Sequence, residues 1–287
     1  MSNKQKAIVY IILSAFFFAL MNCCVRLSGD LPTIQKSFFR NFIAMLVAGF
    51  ILFRKGIGLD YHKKDIPLLL IRSAMGTLGI LGNFYAVDHL NLSDASMLNK
   101  LSPFFAIIFS MLFLKEKPKF IQAIGVIVAF IGSLFIIKPT LEFAAIFPAL
   151  AGIIGGMSAG AAYTAVRALG QRGVKGPLIV FFFSAFSCII VLPGVITGFE
   201  PMEMWQLGYL LLAGIAATGG QFTITAAYSN APAKEISIFD YTQIIFSALL
   251  GFFIFAQMAI LLYVVHLLLC LYIIISNNKE VKYLILL

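Results

Sequence analysis

The sequence predicts an all-α, polytopic membrane protein of ten transmembrane helices in two inverted five-helix repeats. Three observations predict it. The 287 residues are 61% hydrophobic and only 11% charged, with a mean hydropathy of +0.99; soluble chains are about 45–50% apolar and about 25% charged. Apolar runs of about 20 residues, enough to cross hydrocarbon as a helix, recur along the whole chain. Residues of the first half recur in the second at one shared offset.

The spans read in order as 7–27, 32–53, 66–87, 92–114, 119–137, 144–168, 177–196, 207–228, 236–255 and 258–275. The first follows a basic start, as a signal peptide would. Its apolar run extends to Leu27 without a small-residue cleavage site, so it reads as a span. Short polar connections separate the others: RKGIGLDYHKKD, KEKPK, QRGVKGP and NAPAKE.

The net charge of +9 resides mostly in these connections, which makes it a topology signal rather than a nucleic-acid surface. With the N-terminus cytoplasmic, the inner segments hold Lys4, Lys6, Arg54, Lys55, Lys63, Lys64, Lys115, Lys117, Lys119, Arg172, Lys175, Lys234, Lys279 and Lys282. The outer connections hold little beyond Lys138 and collect Asp88, Asp94, Glu142, Glu200 and Glu203. Both termini are therefore expected inside the cytoplasmic membrane, which requires an even number of spans. Cys23, Cys24, Cys188 and Cys270 all lie in apolar runs without pairing or metal spacing, so neither disulfide nor zinc chemistry is expected.

The repeat has an offset of about 141 residues. Val25-Arg26 returns as Val166-Arg167, Gly29 as Gly170, Gly79 as Gly220, Ala86 as Ala227 and Ser96 as Ser237. Residues 1–138 and 144–287 form the two units. Each has five spans, an odd number, so the second enters the membrane in the opposite sense. Inverted repeats of this kind build secondary transporters, with the substrate site near the midplane between the halves.

The stretch 92–114 is the most informative. It contains Asn99, Lys100 and Pro103, and hydrocarbon tolerates neither a bare ammonium nor an unpaired backbone break. Its counterpart, 236–255, places Asp240, Tyr241 and Gln243 opposite Asn99, Lys100 and Ser102. Two roles fit Lys100. It can face a polar interior, pairing with Asp240 at similar depth and lowering the cost of burying both. It can also snorkel outward, which requires a reach of roughly 12 Å over eight residues. The pair itself can be a structural pin or can open for a zwitterionic substrate. Asp240 is the one carboxylate clearly inside a span and hence the candidate proton carrier; uncoupled movement fits equally well.

Other residues divide by type. Arg26 and Arg167 read as interfacial anchors at matching helix ends, and Arg72 as a residue near the headgroups at the inner end of its span. Gly152, Gly156 and Gly160 repeat every four residues, and Gly76, Gly79 and Gly82 run along another helix; small faces let helices approach closely. Pro103 is placed to open a helix carbonyl inward. His89 and His266 have no partner pattern. No DxxxD, HExxH or Ser/His/Asp set occurs within the spans, so an intramembrane enzyme is not expected. No cofactor is called for. A channel or a non-transporting membrane subunit is the alternative to a transporter.

The run LSDASMLNKLSPFFAIIFSMLFLKEKPKFIQAIGVIVAFIGSLFII resembles the signature of the EamA-type drug/metabolite transporter family. VRLSGDLPTIQKSFFRNFIA resembles that family's first loop and second span, and IRSAMGTLGILGNFYAV its third. The similarity covers roughly residues 1–255. It implies a permease with a central cavity lined by the first, third, fourth, sixth, eighth and ninth spans, on which Asn22, Asn83, Tyr85, Tyr163, Gln221, Tyr228, Tyr241 and Gln243 fall. It also implies that Arg40 ties two helices together. The cargo expected is a small organic metabolite, an amino acid or relative. Small multidrug exporters of the same superfamily rely on a first-span glutamate, which this chain lacks. The C-terminal segment departs from the family: Gln257 stands where Glu116 stands in the first half, and the usual proline and glycines are missing, so the tenth helix is atypical.

Overall fold

A computed structural model describes residues 1–56, 62–90, 98–137 and 146–255. The expected tenth span, Gln257, His266 and Cys270 lie outside them. The described chain is helical, without a strand: α1 (Asn3–Leu27), α2 (Thr33–Arg54), α3 (Ile66–His89), α4 (Ser102–Leu114), α5 (Phe120–Ile137), α6 (Ile146–Gln171), α7 (Gly176–Thr197), α8 (Met204–Asn230) and α9 (Thr242–Phe255).

Local chemistry sets the boundaries. Ser2 and Gln5 cap each other's backbone at the start of α1, satisfying two donors that the first turn leaves free. Gly29 ends the helix with φ +74°, a left-handed value open to glycine without strain, and the chain then turns into α2. Pro67, Pro103 and Pro177 stand in the first turns of α3, α4 and α7, where the missing N–H would have had no helical partner. The expectation that Pro103 opens a carbonyl inside a span is thus corrected: it starts a helix.

Six helices, α1, α2, α3, α6, α7 and α8, are long and apolar enough to span a bilayer. Two expected spans are not continuous. Among the described residues of the run 92–114, Leu98 and Asn99 are helical, Lys100 and Leu101 form a turn in which Leu101 N–H donates to the Leu98 carbonyl, and α4 begins at Ser102. The run 236–255 splits into one helical turn, Ala233–Ile236, a 3₁₀ turn, Ser237–Tyr241, and α9. Lys100 sits in the turn and Asp240 in the 3₁₀ segment, neither within an α-helix.

The packing pairs the halves reciprocally. α1 runs along α8 and α3 along α6; α2 lies against α7; α4 packs on α6 as α9 packs on α1. Small residues bring the backbones close. A Cβ on Gly160 would lie 2.6 Å from Phe105 Cβ, and one on Gly156 would lie 2.7 Å from the Leu98 carbonyl. Gly79 and Gly82 meet the adjacent face of α6 at Ala159 and Ala151, and Gly220 meets Phe18 of α1. Large apolar side chains such as Phe50, Phe53, Phe113, Phe120 and Ile196 point outward, the pattern of helices solvated by lipid.

Candidate central binding site

The two chain breaks meet. Lys100 is 8% exposed and Asp240 6%. The Lys100 ammonium donates to Gln243 Oε1 at 2.7 Å and lies 3.4 Å from Asp240 Oδ2. The Tyr241 hydroxyl donates to the Lys100 carbonyl at 2.9 Å, satisfying a backbone group that the break leaves outside a helix. Among the described residues, all four side-chain hydrogen-bond contacts of Lys100 therefore involve residues 240–243, and the snorkelling role is not what the structure shows. Gln243 is its nearer partner, a neutral amide; Asp240 lies beyond ordinary hydrogen-bond range for a charged pair, about 2.7–2.9 Å.

A second layer extends from the 3₁₀ turn. Tyr228 of α8 shares a hydrogen bond with Ser237 at 3.2 Å, and its ring stacks on Tyr163 of α6 at 4.8 Å. Tyr163 lies within electrostatic reach of Asp240, Arg72 and Arg40. Arg72 donates to Gln221 Oε1 at 3.0 Å and covers the Phe183 ring at 4.1 Å. It is 2% exposed, so its expected place near the headgroups is corrected: Phe183 of α7 and Gln221 of α8 enclose it. Arg40 lies over the Phe18 ring at 6.0 Å. Its guanidinium forms no hydrogen bond or ion pair among the described residues, so the expected tie between helices amounts to this ring contact.

Of the residues singled out in the sequence, Lys100, Asp240, Tyr241 and Gln243 form one network, with Tyr163, Tyr228 and Gln221 beside it. Asn99 is half-buried next to Lys100. No hydrogen bond or ring contact among the described residues joins Asn22, Asn83 or Tyr85 to the network. Asn22 is exposed, Asn83 half-buried, and Tyr85 exposed and stacked on His89 at 4.1 Å. Gly156 and Gly160 serve packing.

Sequence reasoning placed Arg72 wrongly, gave Ser237 no part in the site, and missed a set of polar ties at the end of the molecule that carries the α4–α5 connection. There Arg167 Nε donates to Glu116 Oε1 at 2.9 Å, and Gln171 donates to the same oxygen at 3.0 Å. Arg172 pairs with Asp65 at 3.2 Å, Lys4 with Glu235 at 3.9 Å, and Lys234 donates to the Lys117 carbonyl. Each tie joins a residue before 138 to one after 146. Arg167 is thus a tie between halves, not a headgroup anchor. The charged clusters KEKPK and QRGVKGP were visible in the sequence, but their pairing was not.

Lipid-facing helices around a buried, charged and discontinuous centre define a polytopic membrane transporter. The comparisons with known proteins place it more closely. The EamA-like transporter family profile matches residues 5–138. The pseudopaline exporter CntI of Pseudomonas aeruginosa is 32% identical over 256 residues, covering 88% of this chain and 89% of its own. Human solute carrier family 35 member G1 is 25% identical over 83% of this chain and 69% of its own. The riboflavin transporter of Brucella anthropi is 25% identical over 83% and 86%. A solved crystal structure superposes with a TM-score of 0.81 over 98% of this chain and 99% of its own, at 14% identity, which shows a shared fold. The chain belongs to the EamA-like transporter family.

Proposed function

We propose that this protein is a secondary transporter that moves a small organic metabolite, an amino acid or related compound, across the cytoplasmic membrane by alternating access. Ten spans in two inverted repeats, 1–138 and 144–287, with both termini cytoplasmic, form its scaffold. The reciprocal pairing of α1 with α8 and α3 with α6 supports that arrangement. The observation that carries the reading is the meeting of two broken segments at Lys100 and Asp240. Transporters place discontinuous helices at the substrate site because unwound backbone and side chains there can bind a solute while helices elsewhere stay lipid-compatible. Gln243 holds the Lys100 ammonium while Asp240 is only loosely engaged, so a substrate ammonium can take the Asp240 carboxylate without leaving Lys100 bare. A proton on Asp240 would couple transport to pH; facilitated movement needs none.

Flux of radiolabelled L-amino acids into proteoliposomes tests the reading. Saturable uptake with counterflow, lost in Lys100→Met and in Asp240→Asn, is the expected result. Uptake indifferent to both substitutions refutes the site, and flux that never saturates refutes alternating access in favour of a channel.

A further inference from the structure

We propose that the substrate is an organic dianion with two carboxylates, received by Arg40 and Arg72. This rests on the central-site reading and names the chemistry that site selects. The membrane-embedded centre buries three cations, Arg40, Arg72 and Lys100, against one carboxylate, Asp240. The only other buried acid among the described residues, Asp65, lies at the start of α3 and is paired with Arg172. The centre therefore carries a surplus of two positive charges.

Guanidinium groups do not shed a proton at physiological pH, so burial cannot neutralise them. Arg40 is 7% exposed and Arg72 2%, and the Nε of each is buried without an acceptor. Arg72 has two neutral partners, the Gln221 amide and the Phe183 ring, and Arg40 has the Phe18 ring; neither has a carboxylate among the described residues. The two also lie within electrostatic reach of each other and of Tyr163. A scaffold that needed them for structure alone would supply carboxylates, since an unpaired buried charge is among the costliest features a fold can hold. Their planar forks match carboxylates two bonds at a time. Two such forks, which share Tyr163 as a neighbour with Asp240, suit a dicarboxylate, and Asp240 can accept an ammonium on the same molecule, as in an amino dicarboxylate.

The test is the thermal stability of the purified full-length protein with succinate, L-glutamate, L-leucine, L-lysine or inorganic phosphate. Succinate and L-glutamate are expected to raise the melting temperature saturably. Arg40→Gln should weaken that apparent affinity about 10- to 100-fold, the size expected for a lost charged hydrogen bond. Its ligand-free melting temperature should not fall, because the substitution removes an unpaired buried charge. Arg40→Lys, which keeps the charge but not the fork, should fold as the parent does and still bind more weakly. Stabilisation by L-leucine or L-lysine instead, abolished by Asp240→Asn, overturns the dianion and leaves the central site standing. A dicarboxylate shift that survives both Arg40→Gln and Asp240→Asn overturns both readings. A shift with phosphate alone, no shift with any of the five, or a lower ligand-free melting temperature in both Arg40 variants with unchanged binding also overturns the dianion.

Discussion

Glu116→Gln tests whether the polar ties beside the α4–α5 connection hold the two halves together. Glu116 Oε1 receives Arg167 Nε at 2.9 Å and Gln171 Nε2 at 3.0 Å, and Arg167 also reaches the Ser229 carbonyl at 3.3 Å. An amide at 116 keeps an acceptor oxygen in place, so the substitution removes charge more than geometry. The side chains of the pair are 13–15% exposed, between exposed ion pairs worth about 0–1 kcal/mol and buried ones whose disruption costs about 3–5 kcal/mol. A loss of about 1–2 kcal/mol is therefore expected, or a roughly 5- to 30-fold shift toward conformations in which this end is open. Amide hydrogen exchange in nanodiscs reads that equilibrium directly. Protection of the peptides around 168–175 should fall by that factor, with α2 and α7 unchanged. Exchange within twofold of the parent around 168–175 would show that these contacts are surface decoration and do not hold this end of the halves together.

Other predictions follow from the same contacts. Lys100→Met and Asp240→Asn should each destabilise the protein, and the double substitution should cost less than their sum, because each single change leaves a buried group facing a lost partner; additive melting-temperature changes would contradict the pairing. Gly160→Leu should destabilise by about 1–3 kcal/mol or more, since its Cβ would meet Phe105 Cβ and the Ala106 backbone at 2.6–2.7 Å. Gly208→Ala, with open space at the same test point, is the neutral control, and equal effects at the two positions would remove the close-packing account of the stripe.

Much of the fold was legible because lipid imposes a strict code. The 20-residue runs located α1, α2, α3, α6, α7 and α8, and the glycine spacing marked the faces on which α6 meets α3 and α4. The breaks were not legible. Apolar runs 92–114 and 236–255 have the composition of continuous helices, and hydropathy does not register where a backbone unwinds. Lys100 and Asp240 could be named because a charge in hydrocarbon is anomalous in any conformation. Arg72 was misjudged because depth was read from its distance along the helix, whereas α7 and α8 close over it through Phe183 and Gln221. The polar ties between halves depend on tertiary pairing of ordinary loop residues, for which no local signal exists.

The Tyr241–Lys100 bond has a different standing from the Glu116–Arg167 tie. Its partners are 141 residues apart, the offset of the repeat itself. On the inverted-repeat reading, equivalent positions that touch each other must lie on the pseudo-two-fold axis, since only there does a point coincide with its mate. Rocking of one half against the other changes contacts near that axis least and those at the periphery most. The Tyr241–Lys100 bond should therefore persist in both states, acting as a pivot, whereas Glu116–Arg167 belongs to one. Tyr241→Phe is then expected to cost about 0.5–1.5 kcal/mol of overall stability, the usual worth of one hydrogen bond, without altering exchange around 168–175. If Tyr241→Phe instead deprotects that end as Glu116→Gln does, the bond is a gate rather than a pivot, and the axis does not pass through the paired breaks.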